Sequence, residues 1–109
     1  MEKRKATRVE ACHPVLYFTD IYRRPKVGST RDLSLGGIRM ETPHDLVKGE
    51  RLEVTIAIRP QAITCRAKAI YVSMPETGKT QAGIQFEGLS EYDELHLRQY
   101  LSEVTEQRT

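Results

Sequence analysis

Polar and apolar residues alternate most regularly in the middle of the chain. Leu52, Val54, Ile56 and Ile58 interleave with Glu53, Thr55, Ala57 and Arg59. That is the period-two signature of a strand with one buried face. After a break at Arg59-Pro60-Gln61 the pattern resumes at Ile63, Cys65, Ala67 and Ala69. Ile70 and Val72 then carry the apolar residues on the opposite parity, which predicts a bulge near Ala69. Ala82, Ile84 and Phe86 form another alternating run, entered through the loop Met74-Pro75-Glu76-Thr77-Gly78.

Earlier segments carry weaker signals. Val9 to Thr19 reads as a strand in which Pro14, lacking an N–H donor, favours an edge or a bulge. Lys26 to Asp32 reads as a short strand after a turn at Arg23-Arg24-Pro25. Leu33 and Leu35 share one parity, and Ile38 and Met40 share the other. The switch falls on Gly36-Gly37, where the backbone is freest, and predicts a second bulge or a tight turn. The end of the chain changes period. Ser90 is a good N-cap, and Glu91, Asp93 and Glu94 suit the positive end of a helix dipole. Leu97, Tyr100, Leu101 and Val104 then follow the spacing of one buried helical face. The expected divisions are a flexible basic arm over 1–8, strands over 9–88 and a helix over 90–104, frayed from about Thr105. About six strands and one amphipathic helix make a mainly β domain, a small barrel with the helix over one opening or side.

The 109 residues are the size of one domain, large enough for a core without disulfides or metal. No apolar run approaches the ~20 residues of a membrane-spanning helix. The basic start, Met1 to Lys5, is not followed by an apolar stretch, so it is not read as a secretory signal. Cys12 and Cys65 are far apart. They are expected as reduced, buried core thiols of a cytoplasmic protein. His13, His44 and His96 show no metal-ligand spacing. No phosphate-binding glycine loop occurs and no histidine stands at a suggestive offset from Ser34, so no catalytic role is expected.

Net charge is only +2, too small for a general nucleic-acid binder. Its distribution says more. Lys3, Arg4, Lys5 and Arg8 crowd the N-terminus, while Glu91, Asp93, Glu94, Glu103 and Glu106 crowd the other end. Arg4 and Arg8 are four apart, a spacing that puts both on one side of a helix or a strand. Two guanidinium forks can then converge on one phosphate, or on the O6/N7 edge of guanine. The ordinary alternative is a solubilising tail. A second cluster, Asp32-Leu33-Ser34-Leu35-Gly36-Gly37, places Asp32 and Ser34 on one face of an extended segment. A carboxylate there can accept both Watson–Crick-edge donors of guanine, and Ser34 adds a hydroxyl. Gly36 and Gly37 allow a sharp turn and close approach of a ligand. The ordinary alternative here is a turn with an Asp32–Arg31 surface pair.

These two clusters, R-x-x-x-R at Arg4 and Arg8 and D-x-S-x-x-G at Asp32, Ser34 and Gly37, stand about two dozen residues apart. In that order they resemble the paired motifs of the PilZ domain family, and the likeness extends to Gly83-Ile84-Gln85-Phe86 and the terminal helix. The resemblance implies a six-stranded antiparallel β-barrel with a C-terminal α-helix. It also implies a non-catalytic receptor that holds cyclic di-GMP between the arm and the barrel, with no further cofactor and an unidentified protein partner. Lys3 lies where a basic residue in the family favours a stacked pair of ligands. Tyr71 lies near an aromatic position beside the ligand, and also reads as a packed strand residue. Two other functions compete: a module of the same fold that binds only protein, and a small barrel for single-stranded nucleic acid. The latter needs a charged groove with exposed aromatics, and the chain has two Phe, five Tyr and no Trp.

Overall fold

The computed structural model describes residues 9–19, 24–58, 61–76 and 78–108, with side chains described through 105. The strands are β1 (Val9–Glu10), β2 (Pro14–Thr19), β3 (Lys26–Leu33), β4 (Gly37–Thr42), β5 (Arg51–Ile58), β6 (Gln61–Ser73) and β7 (Thr80–Phe86), followed by helix α1 (Glu91–Arg108). Every strand pairing is antiparallel. The order β3-β2-β5-β6-β7-β4 closes on itself through β3 and β4, giving a six-stranded barrel. β1 stands outside that ring and pairs with the far end of β3.

The alternation in sequence is the inside and outside of this barrel. Leu52, Val54, Ile56, Ile58, Ile63, Cys65, Ala67, Ala69, Ala82 and Ile84 all point into the core. Full burial of an aliphatic side chain of this kind stabilises by roughly 1.5–3 kcal/mol. Tyr17 is also buried, and its hydroxyl meets Thr42 Oγ1 at 2.8 Å, so the core holds no stranded phenol. Leu97 and Leu101 bring α1 onto the core, with Tyr100 and Val104 beside them. Ser90 caps the helix as expected: its Oγ accepts the Asp93 N–H at 3.0 Å.

Three expectations need correction. Val9 to Thr19 is two strands, broken at residues 11–13. There the Thr30 hydroxyl accepts the His13 N–H and donates to the Ala11 carbonyl, replacing ladder bonds. Pro14 accordingly opens β2, where its missing donor does least harm. Cys12 lies in that break and is exposed, whereas Cys65 is buried; burial pushes the Cys65 thiol up to about 11, with Asp93 adding to the shift, so it stays protonated. Helix α1 continues through residues 105–108, where fraying was expected.

His13 joins the barrel to the helix. Its Nε2 meets the Tyr100 hydroxyl at 2.9 Å, and the two rings pack edge to face at 5.4 Å. The ring also bonds the Ala57 carbonyl. Burial lowers the His13 pKa below its ordinary value near 6.5, outweighing the Ala57 bond. The unfolded chain therefore takes up its proton first, so stability falls as pH drops below about 6.5. Melting temperature measured at pH 7.5 and at pH 5.0 should be lower at the acid value. In His13→Gln the difference should shrink; an unchanged difference would show that His13 carries none of it.

Candidate functional site

β3 and β4 are joined by a tight turn. The Ser34 N–H donates to the Gly37 carbonyl at 2.9 Å, the Ser34 hydroxyl donates to the same carbonyl at 3.3 Å, and the Gly36 N–H donates to Ser34 Oγ at 3.3 Å. Ser34 is buried and holds the turn together. The turn sets the register Leu33↔Ile38 and Asp32↔Arg39. Paired side chains share a face, so Leu33 and Ile38 point into the core while Asp32 and Arg39 stand outside it. Arg39 Nη2 lies 3.0 Å from Asp32 Oδ2. The Asp32 side chain is only 7% exposed and that of Arg39 is 47% exposed. The expected Asp32–Arg31 pair does not form; Arg31 reaches Glu41 instead, at 3.5 Å.

The register extends this pair into a row across the outside of the barrel. Glu10 of β1 is opposite Asp32, Arg39 is opposite Gly83 of β7, and Gly83 is opposite Tyr71 of β6. An open depression of about 390 Å³ lies over this row. Asp32, Ser34, Gly36, Gly37, Arg39 and Tyr71 all line it, and Ile70 flanks the ring. Five predicted residues are thus brought together. Lys3, Arg4 and Arg8 lie outside the described residues.

The glycines act by close approach rather than by unusual backbone angles. Neither Gly36 nor Gly37 has positive φ, although Gly49 and Gly78 do. A Cβ on Gly37 would stand 2.0 Å from the Ile84 carbonyl oxygen, a backbone atom with nowhere to go. A Cβ on Gly83 would stand 2.2 Å from Tyr71 Cε2, because the ring lies across the bare backbone. Around Gly36 there is open space, the nearest atom being Ser34 Oγ at 4.0 Å. Tyr71 is both packed and exposed: its ring packs across Gly83 of the neighbouring strand, and at 44% exposure it also faces the depression. The expected bulge falls one residue on from Ala69: Ile70 is the extra residue between the pairs Ala69↔Ile84 and Tyr71↔Gly83.

Arg39 was not among the expected residues, and Gly83 was named only as part of the family likeness, not as a site residue. A signal for Arg39 was present in the sequence. A turn over residues 34–37 pairs positions equally distant from its centre, which puts residue 39 opposite residue 32. Among the described residues no group of three or more His, Cys, Asp and Glu is disposed to hold a metal, and no helix is long and apolar enough to cross a membrane.

The fold is thus a closed antiparallel barrel with an open, polar-rimmed depression on its side. The PilZ domain profile matches residues 2–103. The chain belongs to the PilZ domain family. Solved structures agree in fold. The Bacillus subtilis inhibitor of motility, MotI/DgrA, superposes with a TM-score of 0.84 at 16% identity, over 100% of this chain and 55% of that one. The PilZ domain of Escherichia coli YcgR with c-di-GMP gives 0.77 at 16% identity, over 98% and 95%. The K. pneumonia MrkH–c-di-GMP complex gives 0.77 at 15% identity, over 96% and 52%. The chain thus spans about half the length of MotI and MrkH. No curated protein sequence matches it.

The two glycines of the turn should respond differently to one methyl group. Gly37→Ala forces a side chain onto the β7 backbone and should destabilise the domain by roughly 2–3 kcal/mol. Gly36→Ala should stay within about 0.5 kcal/mol of the parent. Urea denaturation of both variants checks this; equal losses would remove the close-approach explanation.

Proposed function

We propose that the domain is a non-catalytic receptor for cyclic di-GMP, which it holds between the segment carrying Arg4 and Arg8 and the barrel edge carrying Asp32 and Ser34. The observation that carries this reading is the convergence of Asp32, Ser34, Gly36, Gly37 and Tyr71 on one open depression. Membership of the PilZ family and the ligand present in the YcgR and MrkH structures support it.

Each residue has a chemical part in the reading. The Asp32 carboxylate accepts guanine N1–H and N2–H₂ side by side. Arg39, already bonded to one oxygen, keeps company with the charge. Arg4 and Arg8 supply bidentate donors for phosphate and for the guanine O6/N7 edge. Tyr71 offers a ring face beside the base, and Gly36 leaves the turn open to close approach. Lys3 is the basic residue that in this family favours two stacked ligands; as a lysine it stacks less well than arginine, so the reading includes one or two molecules. Signal output would pass to a protein partner, and the protein itself is a monomer or weak homodimer. Two unpaired thiols suit a reduced, cytoplasmic setting.

Isothermal titration with cyclic di-GMP tests the reading. The parent domain should bind, and Asp32→Ala or Arg8→Ala should weaken binding at least about tenfold, or 1.4 kcal/mol. Affinity should also fall as salt rises. Circular dichroism should show both variants folded. No heat and no chemical-shift change with excess ligand on the folded parent would overturn the reading in favour of a module that binds only protein.

A further inference from the structure

A second depression, of about 380 Å³, lies along α1 on residues that the candidate site does not use. Gln61, at the start of β6, forms one side; Tyr92, Leu95, Gln99, Tyr100 and Glu103 form the other. Tyr92 and Leu95 are 65% and 63% exposed. Large apolar groups left in water on one helix face mark a contact surface more often than isolated ones do. The groove is also braced by hydrogen bonds. His96 Nε2 lies 3.2 Å from both the Ile58 and Gln61 carbonyls, locking the helix against the end of the β5–β6 pair. Tyr100 is held from behind by His13.

Charge says what would cover this face. Glu91, Leu95, Gln99 and Glu103 follow one another at intervals of four, a single stripe on the helix. The stripe is acidic at both ends, with Leu95 and the uncharged Gln99 between; Glu103 lines the depression, and Glu91 lies one turn before Leu95, just beyond it. Glu91 benefits from the helix dipole, but Glu103, in the C-terminal half, does not. Arg98, the cation nearest the groove along α1, is tied to Glu94 at 2.7 Å. Among the described residues, the α1 side of the groove therefore presents negative charge to a partner, which disfavours a nucleic acid or an anionic membrane there.

We propose that this groove docks a protein partner through a short cationic segment whose apolar side chain sits on Tyr92 and Leu95, between basic side chains that reach Glu91 and Glu103. Twelve residues of helix set those two positions roughly 18 Å apart along the axis. The partner's cations then stand about twelve residues apart in a helix, or about five or six in an extended strand. The surface is preformed, so binding does not pay to organise it. The proposal is independent of the nucleotide reading, because no residue is shared between the two sites.

The probe is a synthetic 14-residue helical peptide with two lysines at each end and leucines between, titrated into the ¹⁵N-labelled domain. Two controls replace the lysines by glutamate or the leucines by serine. Shift changes should gather on Gln61, Tyr92, Leu95, Gln99 and Glu103, and both controls should lose binding. Leu95→Ser should weaken binding about tenfold and Glu103→Lys about threefold. Both positions are exposed, so neither change should alter the melting temperature. Equal binding by the glutamate peptide, shifts centred elsewhere, insensitivity to both variants, or no binding at millimolar peptide would each overturn the proposal. Self-association of the domain that Leu95→Ser abolishes would overturn it in favour of a second copy as the occupant.

Discussion

Arg31 is the one residue by which β3 outnumbers β4 along their shared edge. Continue the pairing of Ser29 with Glu41 and Thr30 with Met40 without that insertion, and Arg31 falls opposite Arg39 and Asp32 opposite Ile38. Like charges would then face each other, and a carboxylate would be turned toward the core. Both arrangements are unfavourable. The extra residue sets Asp32 against Arg39 and Leu33 against Ile38, polar on polar outside and apolar on apolar inside. Barrel closure runs through this same edge, since β4 links β3 to β7. The register that closes the barrel is thus the register that builds the acid–base pair of the site.

Ile70 repeats the device on β6. Without it, Tyr71 would pair with Ala82, whose side chain is fully buried; with it, Tyr71 pairs with Gly83 and turns outward. Two single-residue insertions thus place one carboxylate and one aromatic ring on the same outer face. Glycine then makes room for them. Gly37 lets β4 lie against the Ile84 carbonyl, and Gly83 lets the Tyr71 ring rest on bare backbone. An aromatic laid across a glycine in this way also restores apolar cover that the glycine lacks. The floor of the depression is flat because both strands give up a side chain there.

Most of the barrel was legible because its buried positions obey simple parity. Leu52 to Ile58 and Ile63 to Ala69 face inward without exception at alternate positions. The slip beyond Ala69 was visible as a change of phase, and Ser90 as a cap. The candidate site residues Asp32, Ser34 and Gly37 stood out as a motif rather than from parity, and the structure sets all three on one depression. What could not be read depended on pairing across strands. Arg31 is an ordinary polar residue locally; only the partner strand reveals it as an insertion. Tyr71 shares the parity of Ala69, an inward position, and turns outward only once the phase change is assigned to an extra residue at Ile70. Cys12 was misjudged for a related reason: the strand around it breaks where the Thr30 hydroxyl takes the Ala11 carbonyl and the His13 N–H, while the Ala11 N–H and the His13 carbonyl still bond β3.

Net charge gives a poor measure of what this surface attracts. The total of +2 averages an acidic helix against a basic N-terminal segment. Electrostatic interactions fade over about 10 Å in ordinary salt, so the local balance decides. On the site face that balance includes Arg39, and it includes whatever the preceding segment contributes. Val9 is paired with Leu33, next to Asp32. Covalent geometry then keeps Arg8 within one Cα step of Val9, about 3.8 Å, and Arg4 within roughly 18 Å. On the proposed reading, a basic pair tethered that closely would meet an anion in the depression at high effective concentration. A weakly charged domain can therefore present a strongly cationic site, provided that the strand entering it is anchored beside the acid.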